Sequence, residues 1–278
     1  MNKKFLIALL LLIPIFAVIV IAASSQRSPS ACNGQWSLCS YANSNDLNRA
    51  STYVNATFNK SSRWYNYYFS TGNGAIIENV SVRADFFASR TNGYLNVRVS
   101  GDGGLTWGQN HIVGGNTLEQ TYNIDVTNDL TWTPSKLSNA NFRVNATCFK
   151  QGSGPNPTCN LDWIPVTVTY TPFNYTLSSN PLEAIVTQGD NSTTTVTASL
   201  ISGNTQNVFL WTNNCPTNAI CTFNSSNGYP TFNSDFKVQT YSDQNGTLNM
   251  TPVGNYNIVI WGYGDGVSKN TNFNLTVV

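Results

Sequence analysis

Hydrophobic and polar residues alternate with a period of two along most of this chain. Val80, Val82, Ala84 and Phe86 interleave with Ser81, Arg83 and Asp85, and Leu95, Val97 and Val99 with Asn96, Arg98 and Ser100. The same alternation runs through residues 54–58, 118–126, 142–146 and 164–170. Successive side chains of a strand point to opposite faces, so each segment predicts a strand with one buried and one wet face. Asn92-Gly93, Gly114-Gly115 and Gly152-Ser153-Gly154-Pro155 supply turns between them. Thr171-Pro172 closes this set. A second set is predicted over residues 182–188, 192–202, 207–213, 234–242, 254–264 and 271–278. Many short antiparallel strands with no helical period predict an all-β protein of two β-sandwich domains, 28–172 and 173–278. The short connection places them end to end with limited freedom.

The N-terminus breaks the pattern. Lys3 and Lys4 precede an unbroken apolar run over residues 5–23, which Ser24, Ser25, Gln26 and Arg27 end. As a helix the run reaches about 28 Å, close to a bilayer core. Residues 1–27 are therefore a signal peptide, cleaved near Ala22-Ala23-Ser24, or a single membrane anchor if uncleaved. Either outcome makes the rest of the chain extracytoplasmic, at a cell surface or secreted.

Export changes how the cysteines read. Cys32, Cys39, Cys148, Cys159, Cys215 and Cys221 form three sequence-local pairs, and outside the membrane an even count predicts disulfides. The simplest pairing is Cys32–Cys39, Cys148–Cys159 and Cys215–Cys221, staples of local loops, although the first four admit three connectivities. A zinc site fails because no CxxC occurs and His111 is the single histidine. Charged residues are only 10% of the chain, with a net charge of +1 and no basic block, which excludes a nucleic-acid partner.

Catalytic chemistry has little to work with. A Ser/His/Asp triad must use His111, and no GxSxG surrounds a serine. A glycosidase needs two facing carboxylates. Asp85, Asp125 and Asp162 lie near strands but nothing local pairs them. Sugar binding needs a flat aromatic beside hydrogen-bonding groups. The densest aromatic run is Trp64, Tyr65, Tyr67 and Tyr68, with Trp36, Trp107 and Trp132 as further candidates set against a core role. Ten N-x-S/T sequons stand at Asn55, Asn59, Asn79, Asn145, Asn174, Asn191, Asn224, Asn245, Asn249 and Asn274.

Ser100-Gly101-Asp102-Gly103-Gly104-Leu105-Thr106-Trp107 resembles the Asp box, S-x-D-x-G-x-T-W, of sialidase-type and related proteins. The resemblance implies a structural hairpin and no catalysis, since the box occurs once with no propeller period. Residues 32–172 resemble the jelly-roll, galactose-binding-like domains of secreted proteins. The resemblance rests on Ile76-Ile77-Glu78-Asn79-Val80-Ser81-Val82, Ile124-Asp125-Val126-Thr127 and the segment from Leu161 to Tyr170. Such domains often hold a structural Ca2+, for which Asp102, Asp125 and Asp129 are the candidate ligands. Residues 182–278 resemble an immunoglobulin-like accessory domain of secreted archaeal and bacterial surface proteins. The stretches from Gln188 to Thr197, from Thr251 to Ile260 and from Phe273 to Val277 carry it, with Tyr256 as a tyrosine-corner residue. Together these imply a non-catalytic surface protein for adhesion, carbohydrate recognition or envelope structure, with carbohydrate or other envelope proteins as partners. The alternatives are a polysaccharide-active enzyme using jelly-roll carboxylates, and a self-assembling surface-layer or filament subunit.

Overall fold

The computed structural model describes residues 22–244 and 247–278. The leader over residues 5–21 and the sequon at Asn245 lie outside them. The described chain is all-β with antiparallel sheets, apart from 3-10 turns at Cys39–Asn43, Thr127–Asp129 and Pro134–Leu137. No helix among the described residues is long and apolar enough to cross a membrane.

The first half contains β1 (Ala23–Arg27), β2 (Ala31–Gly34), β3 (Ala50–Tyr53), β4 (Lys60–Tyr65), β5 (Ile76–Ala88) and β6 (Gly93–Gly101). It continues with β7 (His111–Gly114), β8 (Gln120–Asp125), β9 (Phe142–Lys150), β10 (Thr158–Trp163) and β11 (Val166–Thr171). β5 is the spine of one sheet, in the order β1-β11-β5-β10-β3, with β8 along the other edge of β5. The facing sheet runs β2-β4-β9-β6-β7. Val80, Val82, Ala84 and Phe86 of β5 meet Leu95, Val97 and Val99 of β6 and Val144 and Ala146 of β9 in one buried cluster. Each of the valine, leucine and phenylalanine side chains among them contributes about 1.5–3 kcal/mol of burial.

Two expectations change here. β1 pairs in register with β11, Ala23 opposite Tyr170 and Arg27 opposite Val166, so this unit begins ahead of the expected boundary at 28. The alternation at Val54, Ala56 and Phe58 is not a strand. The Asn55 carboxamide oxygen accepts the N–H groups of Thr57 and Phe58, and this local turn competes with a ladder.

The second half contains β12 (Asn174–Asn180), β13 (Glu183–Val186), β14 (Asn191–Ser202), β15 (Val208–Trp211), β16 (Ile220–Phe223) and β17 (Asn227–Gly228). β18 (Phe232–Gln239), β19 (Tyr241–Gln244), β20 (Thr247–Met250), β21 (Gly254–Gly264) and β22 (Val267–Val277) follow. One sheet runs β12-β14-β18-β16 and the other β13-β22-β21-β15-β17, with β13 parallel to β22. Val196, Ala198, Leu210, Phe236, Ile258, Ile260, Phe273 and Leu275 fill a separate core. Tyr256 donates its hydroxyl to the Pro252 carbonyl at 2.6 Å, tying the preceding loop to β21.

The cysteines pair Cys32–Cys39, Cys148–Cys159 and Cys215–Cys221, and none is free. Cys148–Cys159 is more than a loop staple. It joins β9 of one sheet to β10 of the other, fully buried in the first core. Three disulfides suit an oxidising, extracellular setting.

A hairpin tip joins the halves. Asp265 and Gly266, both at positive φ, form the two-residue turn between β21 and β22. The Asp265 carboxylate accepts the N–H groups of Asn73 and Gly74 at 3.0 and 2.9 Å. Asn204 N–H donates to the Gly74 carbonyl and the Ser202 hydroxyl to the Pro172 carbonyl.

Candidate functional site

The aromatic run expected as a ligand platform is turned mostly inward. β4 ends at Tyr65, and Asn66 and Tyr68 both take left-handed backbone conformations, so strand parity does not continue through the run. Trp64 and Tyr67 are buried. The Trp64 indole N–H donates to the Cys39 carbonyl, and the Trp36 and Trp64 rings meet edge to face. The Tyr67 hydroxyl donates to the Ile164 carbonyl, and burial pushes the phenol's pKa well above its ordinary value. Tyr65 lies under the Arg143 guanidinium and only Tyr68 is widely exposed, so the four form no common surface.

The Asp box forms the turn between β6 and β7. Asp102 accepts the Ser100 hydroxyl, the Leu105 and Thr106 N–H groups and the Thr106 hydroxyl. These bonds, the Thr106 hydroxyl first, hold its pKa well below the usual carboxylate range. Gly103 and Gly104 supply the positive φ, and Arg63 stacks on Trp107.

The three aspartates named for calcium do not come together. The Thr127 hydroxyl first, and then the Thr127 N–H that Asp125 accepts, lower the pKa of Asp125, and Asp129 accepts the Gln109 N–H and faces His111 Nε2 at 3.0 Å. No set of three His, Cys, Asp or Glu side chains that could hold a metal occurs among the described residues. Orphaned oxygens occur elsewhere. A register shift between Leu161 and Trp163 turns Asp162 into the protein, where both its carboxylate oxygens are buried without a hydrogen-bond partner. Desolvation raises its pKa. Asn43 Oδ1 is likewise buried and unpartnered. It adjoins Ala42, whose carbonyl accepts the Ile164 N–H, so both orphans lie where the first 3-10 turn packs on β10.

The other strand carboxylate considered for catalysis, Asp85, is tied locally. Asp85 is gripped by Arg83 at 2.9 and 2.8 Å and by the Thr121 hydroxyl. No serine or cysteine among the described residues hydrogen-bonds to His111.

An outward aromatic group lies in the second half, on the outer face of the β13-β22-β21-β15-β17 sheet. Val208 and Leu210 of β15 point into the core, so Phe209 and Trp211 point out. Ile258 and Ile260 of β21 do the same for Trp261 and Tyr263. Pairing sets Phe209 opposite Tyr263 and Trp211 opposite Trp261. The result is a two-by-two block in which Phe209, Trp211 and Tyr263 are 52%, 40% and 48% exposed. The two indoles are nearly parallel, with centroids 6.4 Å apart and planes 16° apart. Beside the block runs β22, whose outward positions are Ser268, Asn270, Asn272, Asn274 and Thr276. Asn270 stands opposite Trp261, Asn272 opposite Val259 and Asn274 opposite Asn257.

The sequon asparagines differ in freedom. Asn274 and Asn191 are exposed on strands, whereas Asn79 and Asn145 donate their amides to Thr127 and Thr147. The oxygens of Asn55, Asn174 and Asn224 cap backbone N–H groups. Asn59 is exposed and Asn249 half-buried.

No family model matches this chain, and no curated protein matches it in sequence. Among solved structures it is distantly similar to domains 4 and 5 of the S-layer protein SbsC, at 18% identity and a TM-score of 0.26 over 41% of this chain. That match spans 63% of the length of the SbsC chain. It is also distantly similar to fibronectin(III)-like modules of CbhA from Clostridium thermocellum, at 10% identity and a TM-score of 0.23. That match covers 82% of this chain and 93% of the other.

Proposed function

We propose that this chain is an extracytoplasmic, non-catalytic surface protein that works by adhesion or recognition, with a jelly-roll unit carrying an immunoglobulin-like unit. The observation behind the reading is the aromatic block Phe209, Trp211, Trp261 and Tyr263. Large aromatics left in water on a flat sheet face make a ready contact surface. The non-catalytic part rests on the carboxylates, since Asp85, Asp102, Asp125 and Asp129 are each engaged in local bonds. In this reading a structural Ca2+ would draw on the unpartnered oxygens of Asp162 and Asn43, with backbone carbonyls and water completing its shell, and not on Asp102, Asp125 and Asp129.

The test is binding of the labelled, disulfide-bonded chain to isolated cell envelopes. Saturable binding that drops at least tenfold in Trp211→Ala supports the reading. Binding that is absent, or indifferent to Trp211, overturns it.

One observation favours assembly as a second reading. β13 is a sheet edge that leaves Ile185 76% and Leu182 61% exposed, an apolar border open to a neighbouring strand. Concentration-dependent polymerisation abolished by Ile185→Lys would support it, and a monomer at every concentration would remove it.

A further inference from the structure

Resting on the adhesion reading, the geometry points to one ligand class for this face: an uncharged oligosaccharide that stacks on the aromatic block and runs along β22.

The first argument is chemical complementarity. The C–H faces of a pyranose suit an aromatic ring, and its hydroxyls each need a donor and an acceptor nearby. A carboxamide offers both. Asn270, Asn272 and Asn274 occupy consecutive outward positions of β22, all exposed, and their side chains make no hydrogen bond among the described residues. Their amides are free for a ligand, and the nearest, Asn270, stands directly opposite Trp261.

The second argument is charge. The outward positions of β15 are Phe209 and Trp211. Those of β21 are Asn255, Asn257, Val259, Trp261 and Tyr263, and those of β22 are Ser, Thr or Asn. None is Asp, Glu, Lys or Arg. Lys269 falls on the opposite parity of β22, and Glu183, on the edge strand opposite Asn274, is the only ionised neighbour from β13. A sulfated or uronic-acid glycan would need a cation to replace its water, and this face provides none.

The third argument is length. Alternate residues of a strand are roughly 6.8 Å apart, so the column from Asn270 to Asn274 spans about 14 Å. The aromatic block extends the contact sideways across two more strands. A single sugar ring cannot engage both, whereas an oligosaccharide of about three or more units can. Asn274 belongs to a sequon, Asn274-Leu275-Thr276, so a glycan attached there would occupy the far end of the same column and compete with the ligand.

The experiment is calorimetry and affinity retention of the full-length, unglycosylated chain. The panel holds neutral glucans, mannans, galactans and chitin oligosaccharides of one to six units, with alginate and a sulfated galactan as charged controls. The inference expects binding to at least one neutral series, rising with length up to about three or four units. That binding should change little between low and high salt. Trp261→Ala should weaken it at least tenfold, and Asn272→Ala several-fold with unchanged melting temperature. Preference for the charged controls, steep salt dependence, or indifference to both substitutions would overturn it. Envelope binding lost in Trp211→Ala with no neutral glycan bound would sink the glycan assignment while leaving the adhesive face intact. Envelope binding unaffected by Trp211→Ala would remove the adhesion reading itself.

Discussion

The largest aromatic clusters of the two halves are turned in opposite directions. In the first, Trp36, Trp64, Tyr67 and Phe142 turn inward and pack edge to face. In the second, Phe209, Trp211, Trp261 and Tyr263 turn outward as a block. Burying such a side chain would gain about 1.5–3 kcal/mol, so the outward group forgoes several times that. Cross-strand pairing recovers about 0.2–1 kcal/mol per pair. The inward set is accounted for by stability, and the outward set is the surface on which the proposed adhesion rests.

Substitution should separate the two most clearly. Trp64→Ala opens a large cavity and should cost about 3–5 kcal/mol. Trp211→Ala should stay within about 1 kcal/mol while abolishing binding. Equal destabilisation in denaturant titrations would erase the distinction drawn here.

The next effect concerns the first half alone. Ca2+ added to chelator-treated protein should raise its melting temperature, on the order of 5–10 °C at a hundredfold excess over Kd. Asp162→Asn should remove most of that rise and Asp129→Asn none of it. Without Ca2+, the raised pKa of Asp162 makes its contribution more favourable below its unfolded value and progressively less so as pH climbs through the folded one. A melting temperature unmoved by Ca2+ would leave Asp162 a buried acid without a cation.

The junction between the halves should respond less. Asp265→Ala removes the acceptor for two backbone N–H groups, and a loss of about 1–3 kcal/mol is expected. Small-angle scattering should then show a broader distribution of lengths, and unchanged scattering would assign the docking to the Asn204 and Ser202 bonds.

The smallest effect is at the Asp box. Because Asp102 titrates below its ordinary range, its contribution is present above the unfolded value of about 3.9 and is lost as pH falls through the lower folded value. Asp102→Asn should flatten the acid limb of the stability curve, and a superimposable limb would show that the hairpin does not depend on this charge.

Much of the fold was legible because one-sided burial imposes alternation. β5, β6, β14 and β21 fall where it places them. It misled where a local side-chain bond took the backbone instead, as at Asn55, and where left-handed residues reset parity, as at Asn66 and Tyr68. The outward block was present in the sequence as parity, since Val208 and Leu210 facing in require Phe209 and Trp211 facing out. What sequence alone does not carry is register, which sets those two against Tyr263 and Trp261. The orphaned Asp162 was equally hidden, because a bulge and not periodicity turns it inward.

The register of β1 has a mechanical consequence. Ala23, where the strand begins, lies opposite Tyr170, the end from which β11 leads to the second half. Tension between residue 22 and the second half therefore acts on two strand ends at the same edge of the sheet. It opens the β1–β11 ladder one rung at a time and does not load all its hydrogen bonds in shear. Pulled between those two points, the first strand is expected to part at lower force than it would in shear, while Cys148–Cys159 keeps the two sheets of the core clamped. The aromatic block on β15 and β21 lies outside the ladder that opens.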